Sequence, residues 1–158
     1  MRTRTLLLAV AIACAVAVSS LAFGFEVGVG TEPSISFAAT WEISPSFTVV
    51  TSLGAVFGGA VQTGSSTIQT MSYTLGVELR YRMHFETLPI VPYFGMGAFL
   101  EFGGGNTALL MAPTLGVQIN LLPGVHVFVE GAALIPIHDA SRWSARLKLG
   151  FGYRFGQR

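Results

Sequence analysis

Lys148-Leu149-Gly150-Phe151-Gly152-Tyr153-Arg154-Phe155 alternates an apolar side chain with a basic residue or a glycine. Carried back to residue 142, the same period places Trp143, Ala145, Leu147, Leu149, Phe151, Tyr153 and Phe155 on one face of a strand. Ser144, Arg146, Lys148, Gly150, Gly152 and Arg154 fall on the other. A second segment does the same at greater length. Met71, Tyr73, Leu75, Val77, Leu79, Tyr81, Met83 and Phe85 oppose Ser72, Thr74, Gly76, Glu78, Arg80, Arg82 and His84. Slipping either strand by one residue would turn its basic side chains onto the apolar face, so the register is well specified.

Eight segments carry this pattern, over residues 23–31, 34–44, 47–58, 68–85, 91–102, 109–121, 125–136 and 142–155, with Gly, Pro, Ser, Asn or Asp between them. Most come close to the 9–11 residues that a tilted strand needs to cross a bilayer. Pro113 sits within the sixth, where a missing N–H calls for a bulge or a rim position, or else for a shorter strand.

The chain begins with the three parts of a secretory signal. Arg2 and Arg4 precede an apolar run from Leu6 to Val18, and Ser20-Leu21-Ala22 forms a small-x-small cleavage site. Residues 1–22 therefore read as a signal peptide and 23–158 as one barrel domain. Cys14 leaves with the signal, so the mature chain has no disulfide to stabilise it. Nine basic residues less Arg2 and Arg4 leave seven against eight acidic ones, with no basic run, which excludes a nucleic-acid partner. Half the chain is hydrophobic (51%) against 11% charged, yet no mature apolar run approaches the roughly 20 residues of a helical span. The other structure that pairs all its backbone groups within a bilayer is a closed sheet. The expected fold is thus all-β, an eight-stranded antiparallel up-and-down transmembrane β-barrel, in contact with outer-membrane lipids.

Short connections at Ser44-Pro45-Ser46, 86–89 and Leu122-Pro123-Gly124 read as periplasmic turns. Those at 58–67, 103–108 and 137–141 read as outward loops. Phe23, Phe25, Trp41, Phe47, Tyr81, Phe85, Phe94, Tyr153 and Phe155 then gather at the periplasmic interface, with Phe57, Phe102 and Trp143 at the outer one.

The inward set holds Glu26, Glu42, Glu78, Glu101 and Glu130 against Arg80, Arg82, Arg146, Lys148 and Arg154. Charges in so narrow a lumen must be paired, which predicts an interlocked salt-bridge network and argues against a wide water channel. Inward Gly28, Gly30, Gly54, Gly76, Gly95, Gly97, Gly116, Gly150 and Gly152 are expected to make room for those long side chains.

The chain resembles the small eight-stranded outer-membrane barrels typified by the transmembrane domain of outer-membrane protein A, over the whole mature region. Lys148-x-Gly150-x-x-Tyr153-x-Phe155 looks like the polar-x-Gly-x-x-aromatic-x-aromatic signal of that superfamily. The resemblance implies that the barrel-assembly machinery reads these four residues. Pro92-Tyr93-Phe94-Gly95-Met96-Gly97 is similar to its Pro-Tyr-x-Gly-x-Gly segment. Many members end on the terminal Phe, whereas this sequence continues with Gly156-Gln157-Arg158.

Some similar barrels are lipid A deacylases or palmitoyltransferases, so an acyl-transfer site has to be weighed. His138-Asp139-x-Ser141 contains the residue types of a nucleophile, base and orienter, but neighbours in sequence point apart and the composition is that of a polar turn. His126 is followed by Val127-Phe128, without the His-x-Ser of the deacylases. His84 and His126, with Glu130, have no local metal-ligand spacing. No catalytic, cofactor or metal site is expected. The leading expectation is a non-enzymatic barrel serving envelope structure or surface interaction, its surface partner unspecified. The alternatives are a lipid-modifying acyl hydrolase or transferase, and a secreted lipocalin-like binder with the alternation inverted.

Overall fold

The computed structural model describes residues 22–31, 33–63, 66–85, 87–103 and 106–155. The signal peptide expected over 1–22 lies outside them except for Ala22. Eight strands follow in order: β1 Ala22–Gly30, β2 Ser34–Glu42, β3 Phe47–Thr63, β4 Ser66–Arg82, β5 Ile90–Gly103, β6 Asn106–Leu122, β7 Val125–Pro136 and β8 Ser144–Arg154. Each pairs antiparallel with the next, and β1 closes on β8 from Gly24↔Arg154 to Gly30↔Lys148. Closure leaves no strand edge along the wall, as a sheet in hydrocarbon requires.

Both ends of the chain's sheet, Ala22 and Arg154, lie at one end of the barrel, here the near end. Its turns are short. Phe47 N–H donates to the carbonyl of Ser44 at 3.2 Å and to its hydroxyl at 3.1 Å. Gly124 turns the chain between β6 and β7 at φ 79°, a conformation that only glycine adopts without strain.

The far end corrects two expected loops. Residues 58–67 are not a ten-residue loop: β3 and β4 stay paired from Gly59↔Thr70 to Thr63↔Ser66, with a bulge between Phe57 and Gly59. Gly58-Gly59 marks that bulge rather than a strand end, and Val61, Thr63, Thr67 and Ile68 favour extended backbone. Residues 103–108 likewise shrink, because β5 and β6 pair out to Gly103↔Asn106. The stretch after β7 forms a short 3₁₀ turn, Ala140–Arg142.

Pro113 meets neither expected remedy. It is mid-strand in β6, which is longer than anticipated, and its pairing with Met96 of β5 is kept. On the β7 side the ladder passes from Met111↔Ile135 to Thr114↔Ala132 with no change of register. The wall therefore absorbs the absent N–H by losing two rungs rather than by inserting a bulge.

Alternation puts the apolar face outward. Phe37, Leu53, Leu75, Val77, Leu115, Leu149 and Phe151 are all more than half exposed. A lipocalin-like barrel needs the opposite polarity and is overturned by this surface. At the near end the rings touch in sequence around the wall. Phe155 stacks on Phe23 at 5.8 Å, Phe23 meets Trp41 at 4.9 Å, Phe47 meets Tyr81 at 5.1 Å, and Tyr81 meets Phe94 at 5.3 Å. Tyr73 stacks on Phe102 at 5.8 Å toward the far end. Such girdles mark the two interfaces of a bilayer.

On β4, Val77 lies midway between Tyr81 and Tyr73, so it marks the middle of the apolar belt. Val77→Arg is expected to destabilise the folded barrel by about 2–4 kcal/mol. Reversible denaturant unfolding from lipid vesicles measures this.

Candidate functional site

The inward positions of β4 bring Glu78, Arg80 and Arg82 into the lumen at every second residue. Arg80 is the hub. Its Nη1 donates to both carboxylate oxygens of Glu26 at 2.8 and 3.1 Å, its Nε to Glu78 Oε1 at 3.0 Å, and its Nη2 to Glu130 Oε2 at 2.6 Å. The hydroxyl of Tyr93 donates to Glu130 Oε2 at 2.9 Å, and the guanidinium carbon of Arg80 lies 4.9 Å from the centre of that ring. Lys148 Nζ reaches Glu130 Oε1 at 2.7 Å. Thr114 donates to Glu78 Oε1 at 2.5 Å, and His126 Nε2 stands 3.4 Å from Glu26. One buried cation thereby links β1, β4, β5, β6, β7 and β8 across the lumen.

A second cluster fills the near end. Glu42 Oε1 lies 2.7 Å from Arg82 Nη2 and 3.2 Å from Arg154 Nε. Arg154 also donates to Gln118, which donates to Asn120 at 2.5 Å. Arg82 Nη2 donates to the Pro45 carbonyl at 3.2 Å.

The ten inward charges thus divide by height in the barrel. Glu26, Glu78, Arg80, Glu130 and Lys148 form the central cluster; Glu42, Arg82 and Arg154 form the near one. Glu101, toward the far end, accepts from the Ser72 hydroxyl at 3.0 Å. Arg146 lines a cavity of about 60 Å³ with Ser36, Ser52, Thr74, Phe99 and Lys148. Beside it Leu110, Ala112 and Leu134 pack against Phe99, Ala108 and Ala132 as a small apolar cluster. A space of that size holds a few waters at roughly 10–15 Å³ each.

The glycines reveal what the sequence reading missed. They were expected to accommodate long charged chains, and Gly28 does face the Lys148 stem, which a Cβ there would meet at 2.9 Å. Four others face rings instead. Tyr93 lies over Gly116, Phe99 over Gly76, Phe128 over Gly150 and His126 over Gly152. In every case ring and glycine are direct cross-strand partners. The ring covers the gap left by the absent side chain, the arrangement known from glycines rescued by an aromatic neighbour. Phe99 is also bounded by Gly97, two residues before it on the same face. Inward aromatic residues opposite inward glycines in a registered hairpin would have been the signal.

The residues weighed for catalysis are committed elsewhere. Asp139 Oδ1 accepts from Ser141 N–H at 3.2 Å and from its hydroxyl at 2.5 Å, while Oδ2 pairs with Arg142 Nε at 3.0 Å. Asp139 caps the 3₁₀ turn, and the Ser141 hydroxyl donates to that carboxylate rather than to His138. His84 Nε2 lies 2.5 Å from the Pro45 carbonyl in an exposed position, whereas His126 is buried, so the two do not meet. Of the terminal motif, Lys148 and Gly150 point inward, and Tyr153 and Phe155 join the near girdle at 4.9 Å from each other.

No protein-family model matches the sequence, and no curated protein does. Solved structures do match in fold. The N-terminal β-barrel domain of Pseudomonas aeruginosa OprF superposes with a TM-score of 0.68 at 9% identity, over 85% of this chain and 97% of that one. A major outer membrane protein from Thermus thermophilus gives 0.58 at 16% identity, over 86% and 100%. The Yersinia pestis outer membrane protein Ail, solved in a phospholipid bilayer nanodisc, gives 0.57 at 15%, also over 86% and 100%. This chain has the fold of the eight-stranded outer-membrane barrels.

Two outcomes follow from the lumen geometry. Arg80→Met leaves three buried carboxylates without their common partner and is expected to cost about 3–5 kcal/mol, read from denaturant unfolding. Gly116→Ala drives a methyl group into the Tyr93 ring and is expected to cost about 1–3 kcal/mol, seen as a lower temperature at which the folded band converts on a gel.

Proposed function

We propose that this protein is a non-enzymatic barrel of the outer membrane that serves envelope structure or surface interaction, with its near end in the periplasm. The observation that carries the reading is the polarity of the wall: an apolar, ring-bounded exterior around a lumen filled by Arg80, Tyr93, His126 and Phe128, each at most 3% exposed. Such a surface fits lipid, and such a filling suits a plug better than a pore. The likeness in fold to barrels from outer membranes supports the same location.

In this reading the outward Tyr153 and Phe155 and the inward Lys148 and Gly150 serve first as the signal that the barrel-assembly machinery reads, and then as girdle and lumen residues. The β3–β4 ribbon favours a surface role over a purely structural one. Beyond Phe57 and Met71 it continues past the last partners on either side, Val56 on the β2 flank and Ser72 on the β5 flank. It continues as a two-stranded arm beyond the closed wall, past the last pairs with β2 and β5 among the described residues.

A mobility shift between boiled and unboiled samples, confined to the outer-membrane fraction, is the expected result of fractionation. Planar-bilayer recordings of the purified barrel should show no large, stable conductance. Recovery in the soluble fraction, or steady channels of porin size, would overturn the proposal. Replacing residues 59–70 with a tight turn should preserve the mobility shift and reduce cell-surface binding. Unchanged binding would leave envelope structure as the role.

A further inference from the structure

Successive registered pairs trace rows that wind around the barrel. The row that starts at Ala22 runs through Glu42, Thr48, Arg80 and Gly95, then by Thr114 and Ala132 to Arg146. Arg146 lies two residues past Lys148, the partner of Gly30, so one turn of the wall climbs ten residues toward the far end. Eight steps share that climb, about 1.25 residues each. The row through Val29, Ile35, Ala55 and Tyr73 therefore rises nearly four residues in its three steps. Val77, four residues below Tyr73 on β4, stands at the height of Val29.

Val77 marks the middle of the apolar belt, yet Val29 is one residue from the end of β1, and the chain has turned back into β2 by Ser34. At about 2.5 Å of height per residue in a strand tilted by about 40°, Thr31 lies about 5 Å above the middle. A belt of about 25 Å reaches roughly 12 Å above it. The far rim is thus notched at the β1–β2 turn. On either side the wall stands higher, because β8 pairs with β7 from Lys148 up to Ser144 and β3 pairs with β4 beyond Val56.

Polar side chains look into that gap. The cavity of about 60 Å³ lies behind it, lined there by Ser34, Ser36, Ser52, Arg146 and Lys148. These inward residues are all partly exposed, whereas inward Leu110, Ala112, Thr114 and Leu134 on β6 and β7 are buried. The lumen is open on the flank where the wall is low.

We propose that the leaflet at the far end is drawn down over the β1–β2 turn, so that the phosphate of a lipid headgroup meets Arg146 and the cavity hydroxyls. Hydrocarbon is a poor filling for the gap, since it would desolvate a guanidinium and three serine hydroxyls. A short apolar stretch is matched instead by local thinning of the bilayer. Of the groups a leaflet can bring, phosphate fits best. A guanidinium fork binds its oxygens in pairs, and serine hydroxyls donate to them. The acid in the lining, Glu130, already holds Arg80 and Lys148. The inference rests on the membrane seat proposed above.

Single nitroxide labels at Val29, Ile35 and Val77, with the barrel in phospholipid vesicles, compare depths through collisions with oxygen and with a water-soluble nickel chelate. A level leaflet would put Val29 and Val77 equally deep. The expected result is a severalfold higher nickel-to-oxygen ratio at 29 and 35 than at 77. Equally deep labels at 29 and 77 would overturn the notch alone, whereas a shallow label at 77 as well would overturn the membrane seat and the notch with it. Arginine carrying ¹³C in its guanidinium then reads the headgroup by solid-state NMR, in phosphate-free buffer that leaves lipid as the source of phosphorus. The signal lost in Arg146→Gln, a variant checked by the mobility shift of its unboiled band, should be attenuated by lipid phosphorus in the wild type. An unattenuated Arg146 signal beside shallow labels at 29 and 35 would show water in the notch and refute the headgroup contact.

Discussion

A peptide group in hydrocarbon has no water to bond, and this constraint shapes the rest of the molecule. It requires the sheet to close, and β1 meets β8 along seven registered pairs from Gly24 to Gly30. Closure with eight strands leaves a lumen only wide enough for side chains. Every inward residue is then committed to the space inside, and every outward residue to the lipid. The loss of two rungs beside Pro113 shows how much the closed ladder tolerates: the pairs of β6 with β7 on either side of it keep one register from Leu110 to Asn120.

Within that lumen two packing devices answer different needs. Arg80 solves the problem of charge, offering its donors to three carboxylates from three strands. A buried ion cluster of this kind is a weak source of net stability, because desolvation offsets much of the attraction. Its consequence is specificity, since any slip of β4 would remove Arg80 from Glu26 and Glu130 at once. Glycines solve the problem of volume. Rings of Tyr93, Phe99, Phe128 and His126 occupy the space beside partners that lack a side chain, and so fill the bore without forcing the strands apart.

The strands, their order and their facing were legible because period two is a local property. Glu78, Arg80 and Arg82 could be assigned inward from their neighbours on β4 alone. Which carboxylate each cation would take was not legible, because Arg80 and Glu26 are 54 residues apart and their meeting depends on the stagger of the closed barrel. The same limit hid the division of one expected network into a central and a near cluster. Local composition also misled at Gly58-Gly59, where glycines that read as a loop form a bulge within a continuing hairpin. His138, Asp139 and Ser141 show the converse case, in which suggestive residue types prove to be a capped turn.

The central claim is that from Met71 to Arg82 the odd-numbered residues of β4 face lipid and the even-numbered ones face a packed interior. Nitroxide labels placed singly from Tyr73 to Tyr81 in lipid vesicles test it through their collision rates with oxygen, which concentrates in hydrocarbon. The account predicts a period-two profile with maxima at 73, 75, 77, 79 and 81, highest near Val77. A profile with maxima at the even positions, or one with no alternation, would contradict it.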